Sequence, residues 1–242
     1  HWSVTRHYKF QECRSSANYF SRDSINTFEG PVKPEAVLGL VTHKTLEDIL
    51  MPYINCQINE MYLQTNPQII GNYCINNWNE IVRGVRSEDV YRIFGNWRDA
   101  KKYVTLGLRQ LLQNFRNHII RGVEFELNFE IKPNFIVLGK IDLILNCQST
   151  GNEVLIDWKT SNSLGSNFNN LQIGVYRYVR SQEFESPISC RIGYVSIQRN
   201  LMDYATFSDS FYDDIQEIIS SDLNLWFDSN TNFTCTCGQC NS

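Results

Sequence analysis

The sequence predicts an α/β fold, and three observations predict it. Apolar residues recur at helical spacing up to about residue 122, the period then switches to two, and the chain ends on a helix, strand, helix succession. With 242 residues, 42% hydrophobic and 20% charged, the chain suits one domain over 1–242 carrying an insertion, and a disordered chain is excluded.

The elements follow in order. Pro34-Glu35-Ala36 opens a helix, with Pro suited to a first turn and apolar residues at Val37, Leu40, Val41, Leu46, Ile49 and Leu50; Pro52 ends it. From about 54 to 122, Tyr103, Leu106, Leu108, Leu111, Phe115 and Ile119 belong to several helices, read together as a helical insertion. Glu124 to Ile131 alternates as a half-buried strand. A turn at Pro133-Asn134 leads to a second strand, Phe135 to Leu145, and Ser149-Thr150-Gly151-Asn152 turns the chain into a third, VLIDWKTS. A helix from Asn167 to Val179, a strand from Cys190 to Ile197 and an acidic amphipathic helix from Asp209 to Trp226 complete the pattern.

Charge is distributed unevenly around a net of −4. Between Arg83 and Arg121 nine basic residues face only Glu88, Asp89 and Asp99, whereas no basic residue follows Leu201. The basic segment is thus either a surface for a polyanion or a solvated helical face. No apolar run approaches the roughly 18 residues of a membrane helix, and no leader of basic, apolar and small residues is present, so a cytoplasmic protein with no membrane partner is expected.

Three acid-x-Lys triplets occur: Asp99-Ala100-Lys101, Glu130-Ile131-Lys132 and Asp157-Trp158-Lys159. The first lies in helical surroundings, which separate the two side chains. The second has no further acid placed beside it by an obvious hairpin. The third does, because Asp142 stands fifteen residues upstream across the expected turn. In a strand Asp157 and Lys159 share one face, and Ile156 and Trp158 the other. Two carboxylates meeting at the ends of adjacent strands make a hard oxygen site of the kind Mg²⁺ or Mn²⁺ prefers. A structural ion pair fits the same residues.

These residues resemble the PD-(D/E)XK nucleases, and within them the RecB-like exonucleases that include the CRISPR-adaptation exonucleases. The match consists of GKIDLIL, LIDWKTS, then Leu171-Gln172-Ile173-Gly174-Val175-Tyr176, with Gly39-Leu40-Val41-Thr42-His43 upstream. The resemblance implies a restriction-endonuclease-like core, a mixed central sheet flanked by helices. It implies a metal held by His43, Asp142, Asp157 and the backbone carbonyl of Trp158, with Lys159 catalytic and Gln172 and Tyr176 facing the site and the nucleic acid. Glu126 is a further acid on the first strand.

Eight cysteines in a cytoplasmic chain suggest thiols or metal ligands more than disulfides. Cys56, Cys74, Cys147 and Cys190 read as small buried apolar residues, whereas Cys235, Cys237 and Cys240 crowd into the tail. Many RecB-like members close an iron-sulfur cluster with one N-terminal and three C-terminal cysteines. Cys13 stands where the first would, which implies a 4Fe-4S staple, with Zn²⁺ or no metal as alternatives because the tail spacing is narrower than usual. The function expected is a metal-dependent DNA nuclease, an exonuclease on single strands or ends. A sequence-specific restriction endonuclease and a non-cutting nucleic-acid-binding subunit of a helicase or a CRISPR integrase complex are the rivals.

Overall fold

The computed structural model describes residues 1–12, 31–133, 135–160, 167–183, 191–196, 201–205 and 210–227. Their centre is a mixed five-stranded sheet whose spatial order follows the sequence: β1 (His118–Lys132), β2 (Phe135–Cys147), β3 (Glu153–Lys159), β4 (Arg191–Ser196) and β5 (Leu201–Ala205). The first three strands are antiparallel neighbours, β4 lies parallel to β3, and β5 returns antiparallel to β4. Parallel pairing of β3 and β4 requires a crossover, which α5 (Asn167–Glu183) supplies. The fold is therefore α/β with a mixed central sheet, as expected.

Both faces of the sheet are covered. Against one lie α2 (Val37–Leu50), α3 (Pro67–Val82) and α4 (Trp97–Asn114), whose Leu46, Ile49, Cys74, Val104 and Leu108 pack with Leu143, Leu145, Val154, Ile156 and Trp158. Against the other, α5 and α6 (Ser210–Phe227) bring Val175, Tyr176, Val179, Ile215 and Ile219 onto Ile141, Ile144 and Leu155. Period-two alternation in β3 thus sends Ile156 and Trp158 toward one layer and Leu155 toward the other. Burial on both faces is why β3 reads as an unbroken apolar run.

Local chemistry sets the element ends. Asn66 caps α3 by accepting from the Gln68 amide at 2.8 Å, and Asn96 and Asp99 form a reciprocal capping box on α4. The β2–β3 turn closes through Gly151, whose φ of +70° suits a residue without Cβ. Its amide donates to the Cys147 carbonyl at 2.8 Å.

Two expectations need correction. Helix stops at Asn114, so residues 118–122, expected in the helical segment, are already strand. Ile119 and Ile120 fit a helical count, but these β-branched residues pair with Asn146 and Leu145 across β2. Cys147 is half-buried at a strand end rather than buried in the core, and hydrogen bonds involving Ser149 and Thr150 bring its thiol down to about 7. Cys56 is also half-buried, whereas Cys74 is buried as expected. The short β5 was not foreseen.

The N-terminal residues join the sheet. Trp2 bridges Val137 in parallel, its amide donating to the Ile136 carbonyl at 2.8 Å and its carbonyl accepting from Leu138 at 2.7 Å. Its buried indole donates to Asp222 of α6 at 2.8 Å, an oxygen that also lies 2.6 Å from His7 Nδ1. This clamp fixes α1 (Val4–Glu12) beside α5.

Candidate active site

β2 and β3 pair only from Leu143↔Ile156 to Asn146↔Glu153. Beyond that point no ladder pair joins β2 to β3, and the next residues of both, Asp142 and Asp157, are buried carboxylates. The Trp158 amide, left without a ladder partner on β2, donates to Asp142 Oδ2 at 2.6 Å. The Trp158 indole itself is in the core, where a Cβ on Gly107 would lie 3.4 Å from its ring.

Asp142 meets two other ligand-type residues. Its Oδ1 lies 3.4 Å from Nδ1 of His43, which α2 supplies, and the same nitrogen is 3.9 Å from Glu124 Oε1. His43, Glu124 and Asp142 each offer one ligand atom, all within 4.8 Å of one another. α2 reaches the site because Gly39 lets it close on the end of β3; a Cβ there would stand 3.3 Å from Thr160 Oγ1.

Glu124 is the residue that sequence reasoning missed. Alternation puts Glu124 and Glu126 on one face and cannot choose between them. The register chooses: Val123↔Leu143 and Phe125↔Ile141 flank Glu124 and Asp142, whereas Glu126 pairs with Lys140 and is exposed. Counting back from the turn at Pro133-Asn134 would have given residue 124 or 125 opposite Asp142. Glu124 also has φ +49°, sparsely populated for a residue with a side chain. Such strain is retained where a side chain must be aimed.

Electrostatics favour a cation here. Burial opposes a charged imidazole at His43, but Asp142 and Glu124 outweigh it and push its pKa up to about 10. Burial likewise opposes ionisation of Glu124, yet His43 and Lys140, the latter 2.8 Å away, hold it below the usual range. Asp157 goes the other way: burial first and Asp142 second push its carboxyl up to about 6, against the pull of Lys159 and His43. Asp157 Oδ2 lies 2.6 Å from Lys159 Nζ, but no donor is aligned to hydrogen-bond it among the described residues. The Asp157 carboxylate, near enough to Asp142 and His43 to feel their charge, adds a buried oxygen to the His43–Glu124–Asp142 group, a donor set that fits a divalent cation of the hard kind.

On the other side of Asp157 a directed chain begins. Lys159 Nζ donates to Gln172 Oε1 at 3.3 Å, and Gln172 Nε2 donates to the Tyr176 hydroxyl at 2.7 Å. Because Tyr176 oxygen accepts, its own proton is left to donate elsewhere. Burial, then the charge of Asp157, push its pKa up, so it stays a phenol. The Tyr176 ring lies on Gly139, where a Cβ would come 2.7 Å from Cε1. Beside it a cleft of about 370 Å³ is lined by Ser3, Thr5, Leu138, Gly139, Lys140, Gln172 and Tyr176.

His43, Asp142, Asp157, Trp158, Lys159, Gln172 and Tyr176, singled out from the sequence, therefore stand at one end of the sheet. Cys13, Cys235, Cys237, Cys240 and Cys190 lie outside the described residues. No helix among the described residues is long and apolar enough to cross a membrane. Compared with family models, the whole chain, residues 1–242, matches that of the PD-(D/E)XK nuclease superfamily. A search of curated proteins returns no match.

Proposed function

Since the chain belongs to the PD-(D/E)XK nuclease superfamily and is thereby a metal-dependent nuclease, we propose that it is a deoxyribonuclease acting on single strands or ends, like the RecB-like exonucleases. The observation that carries this reading is the convergence of His43, Glu124 and Asp142 within 4.8 Å, beside the Asp157–Lys159 pair. These four ligand-type residues, with the carbonyl of Trp158, would hold Mg²⁺ or Mn²⁺. A cation bound there polarises the scissile phosphate and acidifies a water.

The chain's own residues do the rest. Lys159, held by Asp157 and Gln172, points a positive charge and N–H donors at the place where charge develops on the phosphate. Gln172 fixes both Lys159 and Tyr176, so their positions are set before substrate arrives. Tyr176 offers its hydroxyl proton to a phosphate oxygen in the neighbouring cleft. An iron-sulfur staple on Cys13, Cys235, Cys237 and Cys240, and a helicase or CRISPR integrase partner, belong to the same reading and rest on the tail motif and the RecB-like order of motifs.

The test is incubation with end-labelled single- and double-stranded DNA and with a closed circle, plus Mg²⁺ or Mn²⁺. Mononucleotide release from single strands or ends, with the circle intact, is expected. Cutting of the circle at fixed sites would favour a restriction endonuclease, and binding without cutting would overturn the catalytic assignment.

A further inference from the structure

Tyr91 and Phe94 are 84% and 79% exposed, an uncommon placement for two large rings three residues apart. The segment that carries them is anchored. Ile93 and Trp97, between and after them, pack on the helical core, and Gly95, at φ +82°, fits against Leu38 and Asp99, each 3.4 Å from where its Cβ would be. The Asn96–Asp99 capping box then starts α4. Two rings are thus held outward on a fixed turn.

That turn packs on α2, the helix that supplies His43. Its contact, Leu38, is on α2, adjacent to Gly39, which abuts Thr160 at the end of β3. Leu40, 45% exposed, shares a helical face with His43 at i, i+3. His43 stands about 8 Å along the helix from Leu38 and about 140° round it, so a strand leaving the turn reaches the site by passing round α2. The surround has a positive balance: from Arg83 to Lys102 there are six basic residues and three acidic ones, with Arg92 paired to Asp89 at 3.1 Å, Lys102 to Asp99 at 2.9 Å, and exposed Arg98 lying over the Trp97 ring.

We propose that Tyr91 and Phe94 form a stacking platform for unpaired bases of a single-stranded nucleic acid whose backbone runs to the His43–Asp142 site. The inference rests on the nuclease reading above. Aromatic faces accept any base, while flanking cations track the phosphates. In a duplex the base faces are already stacked on one another.

The experiment compares wild type, the double variant Tyr91→Ala/Phe94→Ala and the ring-keeping double variant Tyr91→Phe/Phe94→Tyr. Anisotropy with labelled oligodeoxythymidylate, oligouridylate and a DNA duplex, in chelator, reads binding without cleavage. Each lost ring should weaken single-strand binding about five- to 150-fold, equivalent to about 1–3 kcal/mol per stacked base. The ring-keeping variant should bind as wild type, and duplex binding should hold. The stronger of the DNA and RNA losses identifies the strand served. With Mn²⁺, turnover of bis-p-nitrophenyl phosphate, too small to reach the rings, should be unchanged. Equal single-strand affinity in all three proteins, or an equal loss on duplex, overturns the platform while leaving the nuclease reading intact. A wild type that neither binds nor cuts any nucleic acid overturns both.

Discussion

The Trp158 amide donates to Asp142 Oδ2 at 2.6 Å at the point where the β2–β3 ladder ends. One carboxylate therefore replaces a strand partner with one oxygen and offers the other to His43. Structure and ligand set share a side chain. Asp142→Ala should cost about 1–3 kcal/mol of stability, because it strands a buried amide. Asp142→Asn keeps an acceptor oxygen and should retain most stability while losing metal affinity. Urea unfolding and Mn²⁺ calorimetry on both variants separate the two effects; equal destabilisation would show that the hydrogen bond contributes nothing.

Asp157 gives a pH-dependent prediction. Its folded carboxyl, at about 6, lies above the ordinary value of 3.8, so the folded state binds the proton more tightly. Its contribution to stability is therefore full below about pH 4 and lost as pH rises through about 6. Asp157→Asn should stabilise the metal-free protein at pH 8, by the order of 1 kcal/mol, and do nothing comparable at pH 4, while abolishing cleavage. Thermal unfolding in chelator at the two pH values measures this.

His43 predicts proton release. Pushed up to about 10, it is protonated at neutral pH in metal-free protein, and a cation must displace that proton to bind the nitrogen. Mn²⁺ affinity should rise with pH between 6 and 9. Calorimetry in two buffers of different ionisation enthalpy should count about one proton released per metal, and the His43→Gln variant should release less.

Lys159→Ala should keep metal binding yet lose about 10²–10³ in turnover, the scale of one removed transition-state donor. Single-turnover cleavage at saturating Mn²⁺ is the measurement. A variant that cuts normally would reduce Lys159 to a partner of Asp157.

Gly139→Ala should push Tyr176 off the sheet, since a Cβ would come 2.7 Å from its ring. Overpacking of this kind costs about 1–3 kcal/mol, and loss of the Gln172–Tyr176 contact should lower turnover as well. Tyr176→Phe should lower turnover with little change in stability. Parallel melting curves and cleavage rates for the two variants make the comparison.

Much of this was legible because it is local. The alternation of VLIDWKTS assigned Asp157 and Lys159 to one face, and the hairpin turn brought Asp142 beside them. Gln172 and Tyr176 came from the family resemblance; their i, i+4 spacing says only that they share a helix face. Glu124 was not legible from alternation, because a bulge near Arg121 and a left-handed backbone at Glu124 itself re-aim it. Nor did periodicity show that Ile119 and Ile120 are strand, since two β-branched residues satisfy either count. Tyr91 and Phe94 gave no signal at all: exposure depends on what the rest of the fold leaves uncovered.

The clamp of Trp2 on Asp222 sets an order of events. Ser3 and Thr5 wall the cleft beside Tyr176, and Trp2, which leads into that wall, is anchored by α6, 220 residues later in the chain. Synthesis proceeds from the N-terminus, so a nascent chain carries every residue from His43 to Tyr176 before it carries the helix that seats the cleft wall.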